Sequence, residues 1–212
     1  MAEKTTALYR LVTIPVFYRS FQNLLGGVSA RDALREQFFP DVAGKRVLEV
    51  GCGPGTWAPH LATASRYLGV DWNADHIAEA TARHGSDNVQ FHCGDVAALA
   101  LGEDGFDYVF AFGLLHHLDD AQAESLLATV ARLMVPGAAF ISVDPVYHEG
   151  QHPFAKWMND RDSGQDIRRA PGYEALVAPH FAQVEGTLCT DKLRIPYSHY
   201  IMVCRDPATA AA

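Results

Sequence analysis

The chain has 212 residues, of which 49% are hydrophobic and 20% are charged. This composition is that of a globular protein with a substantial core, and it excludes a disordered chain. The 17 lysine and arginine residues are outnumbered by 25 aspartate and glutamate residues, which gives a net charge of −8. An acidic surface argues against binding to nucleic acid or to anionic membrane, so we expect neither partner.

Neither a membrane span nor a secretion signal is predicted. The longest uninterrupted apolar stretch, residues 108–115, is far too short to cross a bilayer, and residues 1–6 lack the features of a signal peptide. The four cysteines are scattered and show no metal-ligand spacing. We therefore expect a cytoplasmic protein with reduced thiols and no bound metal.

The first 40 residues are predicted to form helices. Residues 6–25 have a roughly helical spacing of apolar side chains, interrupted by Pro15. This helix is expected to pack on the core. The alternative is a lid over a pocket, in which Tyr18 or Phe21 contacts the substrate. A second helix is predicted over residues 29–39.

Strands and helices then alternate along the chain. Strands are predicted over residues 46–50, 67–71, 89–92, 107–112 and 140–144, with helices over 56–64, 74–84 and 120–133. Asp119 and Gln122 predict a capping box at the start of the last of these helices. The alternation predicts an α/β protein with a Rossmann-like, doubly wound, mostly parallel sheet that helices cover on both faces.

The pattern changes after residue 144. Residues 145–170 are polar and have no clean period, and a helix is predicted over 171–179. Two more strands, over 181–188 and 198–205, are expected to form an antiparallel pair at the edge of a seven-stranded sheet. We expect a single domain over 1–212, comprising N-terminal helices (1–40), a cofactor-binding core (41–144) and a substrate-side insertion with the strand pair (145–206).

Candidate binding residues follow the predicted parallel strands, where such sheets bind ligands. The first strand runs into a glycine turn at residues 51–55, and the second ends in Asp71, which is placed to accept both ribose hydroxyls of a nucleoside. Residues 94–95 and 113–117 follow the third and fourth strands. The glycine turn contains Pro54 and departs from the G-x-G-x-x-G pattern of dinucleotide-binding proteins.

Five stretches of the chain, taken together and in order, resemble the class I S-adenosylmethionine-dependent methyltransferases of the small-molecule type. They are residues 47–56, 69–73, 94–95, 106–120 and 133–138. The finer likeness is to a bacterial subgroup of methyltransferase type 11/25. The resemblance implies S-adenosylmethionine as cofactor. It also implies methyl transfer to a secondary metabolite or a glycan-type acceptor, by direct in-line displacement without a metal ion.

The resemblance also assigns residues to the cofactor. It places Glu49, Gly51, Cys52 and Gly53 at the methionine part, Asp71 at the ribose, Trp72, Asp95 and Val96 at the adenine, and Phe112 and Gly113 near the methionine amino group. Two alternatives stay open: Trp72 as a packing residue and Cys52 as a small buried hydrophobe.

His116 and His117 are the predicted catalytic residues, because a hydroxyl acceptor benefits from a base with a near-neutral pKa. The alternative is that they only orient the loop after the fourth strand. Tyr147 and His148, just past the fifth strand, are predicted to bind the acceptor. Arg168 is predicted to grip an acceptor carboxylate or phosphate, with a solvated ion pair as the alternative.

Two other functions use the same sheet. One is a protein that binds S-adenosylmethionine without transferring its methyl group, and the other is a nucleotide-linked oxidoreductase. The sequence leaves open which atom is methylated, whether a base is used, and whether the protein is a monomer or a homodimer.

Overall fold

The computed structural model describes residues 27–98 and 105–208, and the predicted helix over 6–25 lies outside them. The strands are β1 (Arg46–Val50), β2 (Arg66–Asp71), β3 (Val89–Cys93), β4 (Phe106–Phe112), β5 (Met134–Pro145), β6 (Phe181–Cys189) and β7 (His199–Pro207). The α-helices are α1 (Gly27–Phe38), α2 (Ala58–Leu61), α3 (Ala74–His84), α4 (Asp120–Leu133), α5 (Pro153–Asn159) and α6 (Ala170–Val177), with 3₁₀ turns at Val96–Ala98 and Leu115–His117. Within the described part of the chain, no helix combines the length and apolarity needed to cross a bilayer.

All seven strands join one sheet in the order β3-β2-β1-β4-β5-β7-β6. The first five strands are parallel, and β7 is antiparallel to both β5 and β6. In β1, Glu49 lies opposite Gly69 of β2 on one side and Phe110 of β4 on the other. The winding therefore reverses between β1 and β4, and the predicted doubly wound sheet with an antiparallel C-terminal strand is confirmed.

Both faces of the sheet are buried, as parallel strands require. Leu48 and Val109 belong to the cluster on the face that α4 and α6 cover. Val47 and Phe110, one position along each strand, belong to the opposite cluster, which includes residues of α2. Because side chains alternate between faces along a strand, these near-continuous apolar runs serve both clusters.

The predicted capping box at the start of α4 is confirmed. The Asp119 carboxylate accepts the Gln122 N–H at 2.8 Å, and the Gln122 side chain accepts the Asp119 N–H at 3.1 Å. These bonds satisfy amide groups that a helix start leaves without partners. They anchor α4 directly behind the loop that follows β4.

The helix after β1 is shorter than the predicted range 56–64. The Asn88 side chain donates to the carbonyls of Ala62 and Ala64 at 3.1 and 2.9 Å. A helix that ended at residue 64 would leave both carbonyls without a partner in its own backbone, so the Asn88 side chain satisfies groups at the end of this segment. The Ala64 N–H donates to the Leu61 carbonyl, three residues back, which is a tighter turn than an α-helix makes, and α2 ends at Leu61.

Two further elements differ from the prediction. Strand β5 begins at Met134, because the Pro136-Gly137 pair forms an irregularity in the β4–β5 register and does not end the strand. Helix α5 lies inside the segment for which no element was predicted, since its seven residues are too few to show a period. Pro153 at its first position, preceded by His152 as cap, was the available sequence signal.

Replacing Asp119 by alanine should lower the free energy of unfolding by about 1 kcal/mol, because the Gln122 amide loses its acceptor. Urea unfolding followed by circular dichroism would measure this, with Asp119→Asn expected to retain most of the stability. Ser125→Ala, at an exposed position of the same helix, is the matched control and should not destabilise the protein, because alanine favours a helix more than serine does. Equal stability of Asp119→Ala and wild type would show that the capping box does not stabilise α4.

Candidate functional site

The glycine turn, residues 51–55, lies at the carboxyl end of β1. The amides of Gly51 and Cys52 donate to the Val70 carbonyl at 2.8 and 3.1 Å, which holds the turn against β2. Gly51 and Gly53 have φ angles of +71° and +51°, which glycine adopts without strain. A Cβ at Gly53 would meet no heavy atom within 4 Å, so the backbone there borders open space.

Asp71, at the end of β2, fixes the other side of this turn. One carboxylate oxygen accepts the Gly53 N–H at 2.8 Å, and the other accepts the Asn73 N–H at 2.8 Å. Its side chain is 17% exposed. Each oxygen retains a further lone pair, so the carboxylate is held in one orientation and can still accept hydrogen bonds from a ligand.

Glu49 lies below the turn and is buried, with 1% of its surface exposed. The Tyr67 hydroxyl donates to its carboxylate at 2.5 Å. Burial raises the pKa of Glu49 from 4.5 to about 8, the charge of Asp71 adds to this shift, and the Tyr67 hydrogen bond opposes it. A cation placed beside Glu49 would favour its charged form.

The predicted adenine residues lie at the ends of β2 and β3. Trp72 is 75% exposed, so it is not a core packing residue. Asp95 accepts the Ala97 N–H at 2.8 Å. The Val96 side chain is buried, so only the Val96 backbone could contact an adenine. Adenine binding by these three residues stays a prediction.

Phe112 and Gly113 lie at the end of β4, beside aromatic residues that no sequence motif indicated. The Phe112 ring stacks on Trp57 with 4.2 Å between centroids, and on Phe39 with 5.2 Å. The Gly113 N–H donates to the Val143 carbonyl at 2.8 Å. Trp57 lies two residues after the glycine turn, and this position was the available signal.

Cys52 lies in the glycine turn with its thiol in the interior. The residue is 3% exposed, and burial raises the thiol pKa far above its ordinary value. Its Sγ lies 3.6 Å from the Gly53 carbonyl. The Cys52 side chain is therefore a small buried hydrophobe. Only the backbone of Cys52 could contact a cofactor at the turn.

His116 is buried between two carboxylates. Its Nδ1 lies 2.9 Å from Asp144 Oδ1 and its Nε2 lies 3.5 Å from Asp162 Oδ1. Burial by itself would lower the pKa, but the two carboxylates outweigh it and raise the His116 pKa to about 9. Because both ring nitrogens face carboxylates, this geometry favours the alternative in which His116 orients the loop.

His117 has the opposite environment. It is exposed, and its ring centroid lies 4.1 Å from that of His116. Partial burial of the ring and the neighbouring His116 charge lower its pKa, so the imidazole is neutral at physiological pH. Of the two predicted catalytic histidines, His117 is therefore the one with the chemistry of a base. Both catalytic roles stay predictions.

Tyr147 and His148 lie in the segment after β5. The Tyr147 hydroxyl donates to Asp160 at 2.8 Å, and burial together with this bond raises the Tyr147 pKa to about 12. His148 Nε2 lies 2.9 Å from the Ser198 hydroxyl. These side chains have partners within the protein, and their contact with an acceptor stays a prediction. Tyr18 and Phe21 lie outside the described residues.

Arg168 forms several hydrogen bonds within the protein. Its guanidinium donates to the carbonyls of Leu115, Leu118 and Asp166 at 2.9 to 3.0 Å, and to the Asp120 carboxylate at 2.8 Å. The side chain is 11% exposed. Because these internal acceptors engage its donors, Arg168 ties the loop after β4 to the segment after β5, and acceptor binding by Arg168 stays a prediction.

Two further site residues, besides Trp57 and Phe39, were missed by sequence reasoning. Tyr67 reads as a core residue of β2, and only the parallel register beside β1 brings its hydroxyl to Glu49. Asp162 lies in the segment without a period, and only the path of the chain after α5 brings it to His116. Neither pair shares a sequence motif that could have revealed it.

The crevice at the carboxyl end of the sheet has the features of a nucleoside site. Asp71 offers two fixed acceptor oxygens, Gly53 borders open space that a Cβ would enter, and Glu49 can pair with an ammonium group. These groups fit the ribose and the methionine part of S-adenosylmethionine. No phosphate-binding lysine follows the glycine turn.

Comparison with known proteins agrees with this class of site. Residues 47–137 match the family model for a methyltransferase domain. An uncharacterised methyltransferase of Mycobacterium bovis is 30% identical over 148 residues, which cover 66% of this chain and 74% of that protein. A fatty-acid O-methyltransferase of Mycolicibacterium smegmatis is 38% identical over 107 residues, which cover 49% of this chain and only 38% of that protein.

A solved structure shows the same fold. The Haemonchus contortus phosphoethanolamine N-methyltransferase 2, in complex with phosphomonomethylethanolamine and S-adenosylhomocysteine, superposes with a TM-score of 0.72 at 16% identity. The match covers 94% of this chain and 59% of that chain. The sheet and crevice define a Rossmann-like nucleoside-binding protein. More narrowly, the chain belongs to the class I S-adenosylmethionine-dependent methyltransferases, whose cofactor is S-adenosylmethionine.

The raised pKa of Glu49 predicts a specific dependence of stability on pH. Between pH 4.5 and about 8, the folded chain keeps the Glu49 proton and the unfolded chain releases it. The free energy of unfolding should therefore fall as the pH rises through this range, by up to about 1.4 kcal/mol per pH unit from this group, and level off above it.

Urea unfolding of wild type and Glu49→Gln at several pH values would test this prediction. Glutamine keeps an acceptor for Tyr67 but does not titrate, so the variant should lose stability less steeply over the same range. The difference between the two curves isolates Glu49 from other titrating groups. Parallel curves would mean that Glu49 is already ionised in the folded protein.

Proposed function

We propose that the chain transfers the methyl group of S-adenosylmethionine to a small-molecule acceptor by direct in-line displacement. The observation that carries this proposal is the Asp71 carboxylate, which is bonded to the Gly53 amide beside open space. S-adenosylmethionine supplies a methyl group on a sulfonium that is already a strong electrophile. The protein's main task is then to align the reacting groups.

On the cofactor side, Asp71 would accept the ribose hydroxyls, and Glu49 would pair with the methionine amino group. Glu49 must lose its proton to act in this way, because only the carboxylate attracts an ammonium group. The backbone of residues 51–53 would lie against the methionine part. Trp72, Asp95 and the Val96 backbone would bind the adenine, and Phe112 and Gly113 would close the site from β4.

On the acceptor side, His117 is the group that we assign to the acceptor. It is neutral and exposed at the carboxyl end of β4, where it could take a proton from a hydroxyl or hold an acceptor by a hydrogen bond. His116 would hold the loop that carries His117, because Asp144 fixes its ring. Tyr147 and His148 stay candidate acceptor contacts.

The acceptor is proposed to be a small molecule because the net charge of −8 disfavours nucleic acid. The related proteins named above act on a fatty acid and on a phosphoethanolamine derivative. Both classes belong in a first panel of acceptors, beside the secondary metabolites and glycans that the sequence indicated. Displacement itself needs no metal ion, so a metal could act only on the acceptor.

Gly53→Val should weaken binding of S-adenosylhomocysteine at least tenfold, because its side chain would enter the open space beside Asp71. Gly44→Val is the matched control. Gly44 has a φ of +71° and also borders open space, but it precedes β1 at the opposite end of the sheet. Both variants should lose about 1–2 kcal/mol of stability or more from backbone strain, and only Gly53→Val should lose binding.

Isothermal titration calorimetry on the folded variants would measure both affinities. If valine prevents folding, the same comparison can be made with the two alanine variants. Normal affinity in the Gly53 variant would place the cofactor elsewhere. Asp71→Ala is a less clean test, because it also removes the acceptor of the Gly53 amide.

Methyl transfer can be tested directly with S-adenosylmethionine carrying an isotopically labelled methyl group. Incubation with fatty acids, phosphoethanolamine and a metabolite extract, followed by mass spectrometry, should give one labelled product and an equal amount of S-adenosylhomocysteine. Binding of S-adenosylhomocysteine without turnover on any acceptor would favour a non-catalytic binding protein. Binding of a nicotinamide cofactor in place of S-adenosylhomocysteine would favour an oxidoreductase.

A further inference from the structure

We propose that His116, His117 and Asp162 form a binding site for a divalent transition-metal ion such as Zn²⁺. One ligand atom from each side chain can be chosen so that all three lie within 4.8 Å of one another. Two imidazoles and one carboxylate are a ligand set that Zn²⁺ and Fe²⁺ commonly use in proteins. This inference stands on the geometry of the cluster and does not depend on the proposed methyl transfer.

The distance between His116 and Asp162 fits metal ligands better than a hydrogen bond. His116 Nε2 lies 3.5 Å from Asp162 Oδ1. Hydrogen bonds between nitrogen and oxygen are usually about 2.7–3.2 Å long. Two ligands that are each about 2.0–2.1 Å from a tetrahedral zinc ion are about 3.3–3.4 Å apart. An ion between these two atoms would therefore require little movement of either side chain.

The ligands are already held in position by surrounding groups. His116 Nδ1 lies 2.9 Å from the buried Asp144 carboxylate, which leaves Nε2 to face the cluster. A histidine with a carboxylate behind its second nitrogen is typical of metal sites, because the carboxylate orients the ring. Asp162 Oδ1 accepts the Gly164 N–H at 2.7 Å, and the His116 carbonyl accepts the Asp166 N–H at 3.0 Å.

Gly164 also shows how closely the segment after α5 packs on this histidine. A Cβ at Gly164 would lie 2.2 Å from His116 Cδ2, so only glycine fits there without displacing the ring. The segment that carries Asp162 is thus held against the loop after β4. The metal ligands come from two parts of the chain that tertiary packing brings together.

Charge and access are also suitable for a cation. Asp144 and Asp162 place two carboxylates around two imidazoles, which matches the charge of a divalent ion. His117 is exposed and the Asp162 side chain is 29% exposed, so an ion can enter from solvent. Three protein ligands leave a coordination position open, as in catalytic zinc sites.

A metal ion here would change the role of His117. Its ligand nitrogen would no longer be available as a base, and the open coordination position could bind an acceptor oxygen and polarise it. The site also departs from the sequence-based expectation that the protein binds no metal. That expectation followed from the spacing of cysteines and histidines, which does not reveal Asp162.

Metal binding can be measured on the full chain after removal of any affinity tag and of adventitious metal with a chelator. Titration with Co²⁺ should saturate at one equivalent and give the strong visible absorption of a four-coordinate cobalt site. Calorimetry with Zn²⁺ should give the same stoichiometry. Mg²⁺ should bind far more weakly, because it prefers oxygen ligands.

His117→Gln and Asp162→Asn should each weaken Zn²⁺ binding at least tenfold, and Asp144→Asn should weaken it about 10- to 100-fold through the His116 ring. His180→Gln is the matched control, because His180 forms a histidine–carboxylate pair with Glu124 outside the cluster. It should leave the affinity unchanged. His117 is exposed, so its variant tests the site even if Asp144→Asn fails to fold.

Failure of wild type to bind one equivalent of Co²⁺ or Zn²⁺ would overturn the proposal. Binding that survives both His117→Gln and Asp162→Asn would overturn it as well, since the ion would then be held elsewhere. Neither result decides whether the wild-type protein binds S-adenosylhomocysteine or transfers the labelled methyl group, since both are measured independently. The outcomes for the metal site and for the proposed function are therefore separate.

Discussion

The winding of the sheet reverses between β1 and β4, and the positions of the polar groups in this protein depend on that reversal. Helices that follow neighbouring strands on either side of the reversal lie on opposite faces, so the loops between them part and leave a crevice. The glycine turn after β1 borders this crevice, with Asp71 beside it at the end of β2. The histidine pair after β4 lies at the same end of the sheet. One topological feature thus places the cofactor residues and the histidine cluster together.

The segment after β5 completes the crevice from the other side. Arg168 bonds to the carbonyls of Leu115 and Leu118, and Asp166 bonds to the His116 carbonyl. These contacts are between backbone carbonyls and fixed donors, so they hold the loop after β4 in one arrangement. His117 is carried on that loop, and its position therefore depends on the segment after β5. Arg168, which the sequence indicated as an anion-binding group, is part of this support.

Features of the structure that depend only on residues close together in the sequence were predicted well. The capping box of Asp119 and Gln122 and the bounds of β1, α3 and α4 follow from side chains and periods within a few residues. Errors arose where distant groups intervene. Asn88 bonds to the carbonyls of Ala62 and Ala64 in the turn after α2, and the irregular β4–β5 register keeps Pro136 inside β5. These contacts have no local signature.

The sequence alone determined the class of fold, because parallel strands must alternate with helices. It also determined the glycine turn and the acid at the end of β2, because a backbone that lies close to a ligand needs glycine. From these it indicated the cofactor. Only the tertiary structure decided the environments of the ionisable groups. Tyr67 meets Glu49 across a strand register, and Asp144 and Asp162 meet His116 from separate segments. A pKa, an orienting hydrogen bond or a metal site depends on distances of a few ångströms, and such distances between remote residues are fixed by packing.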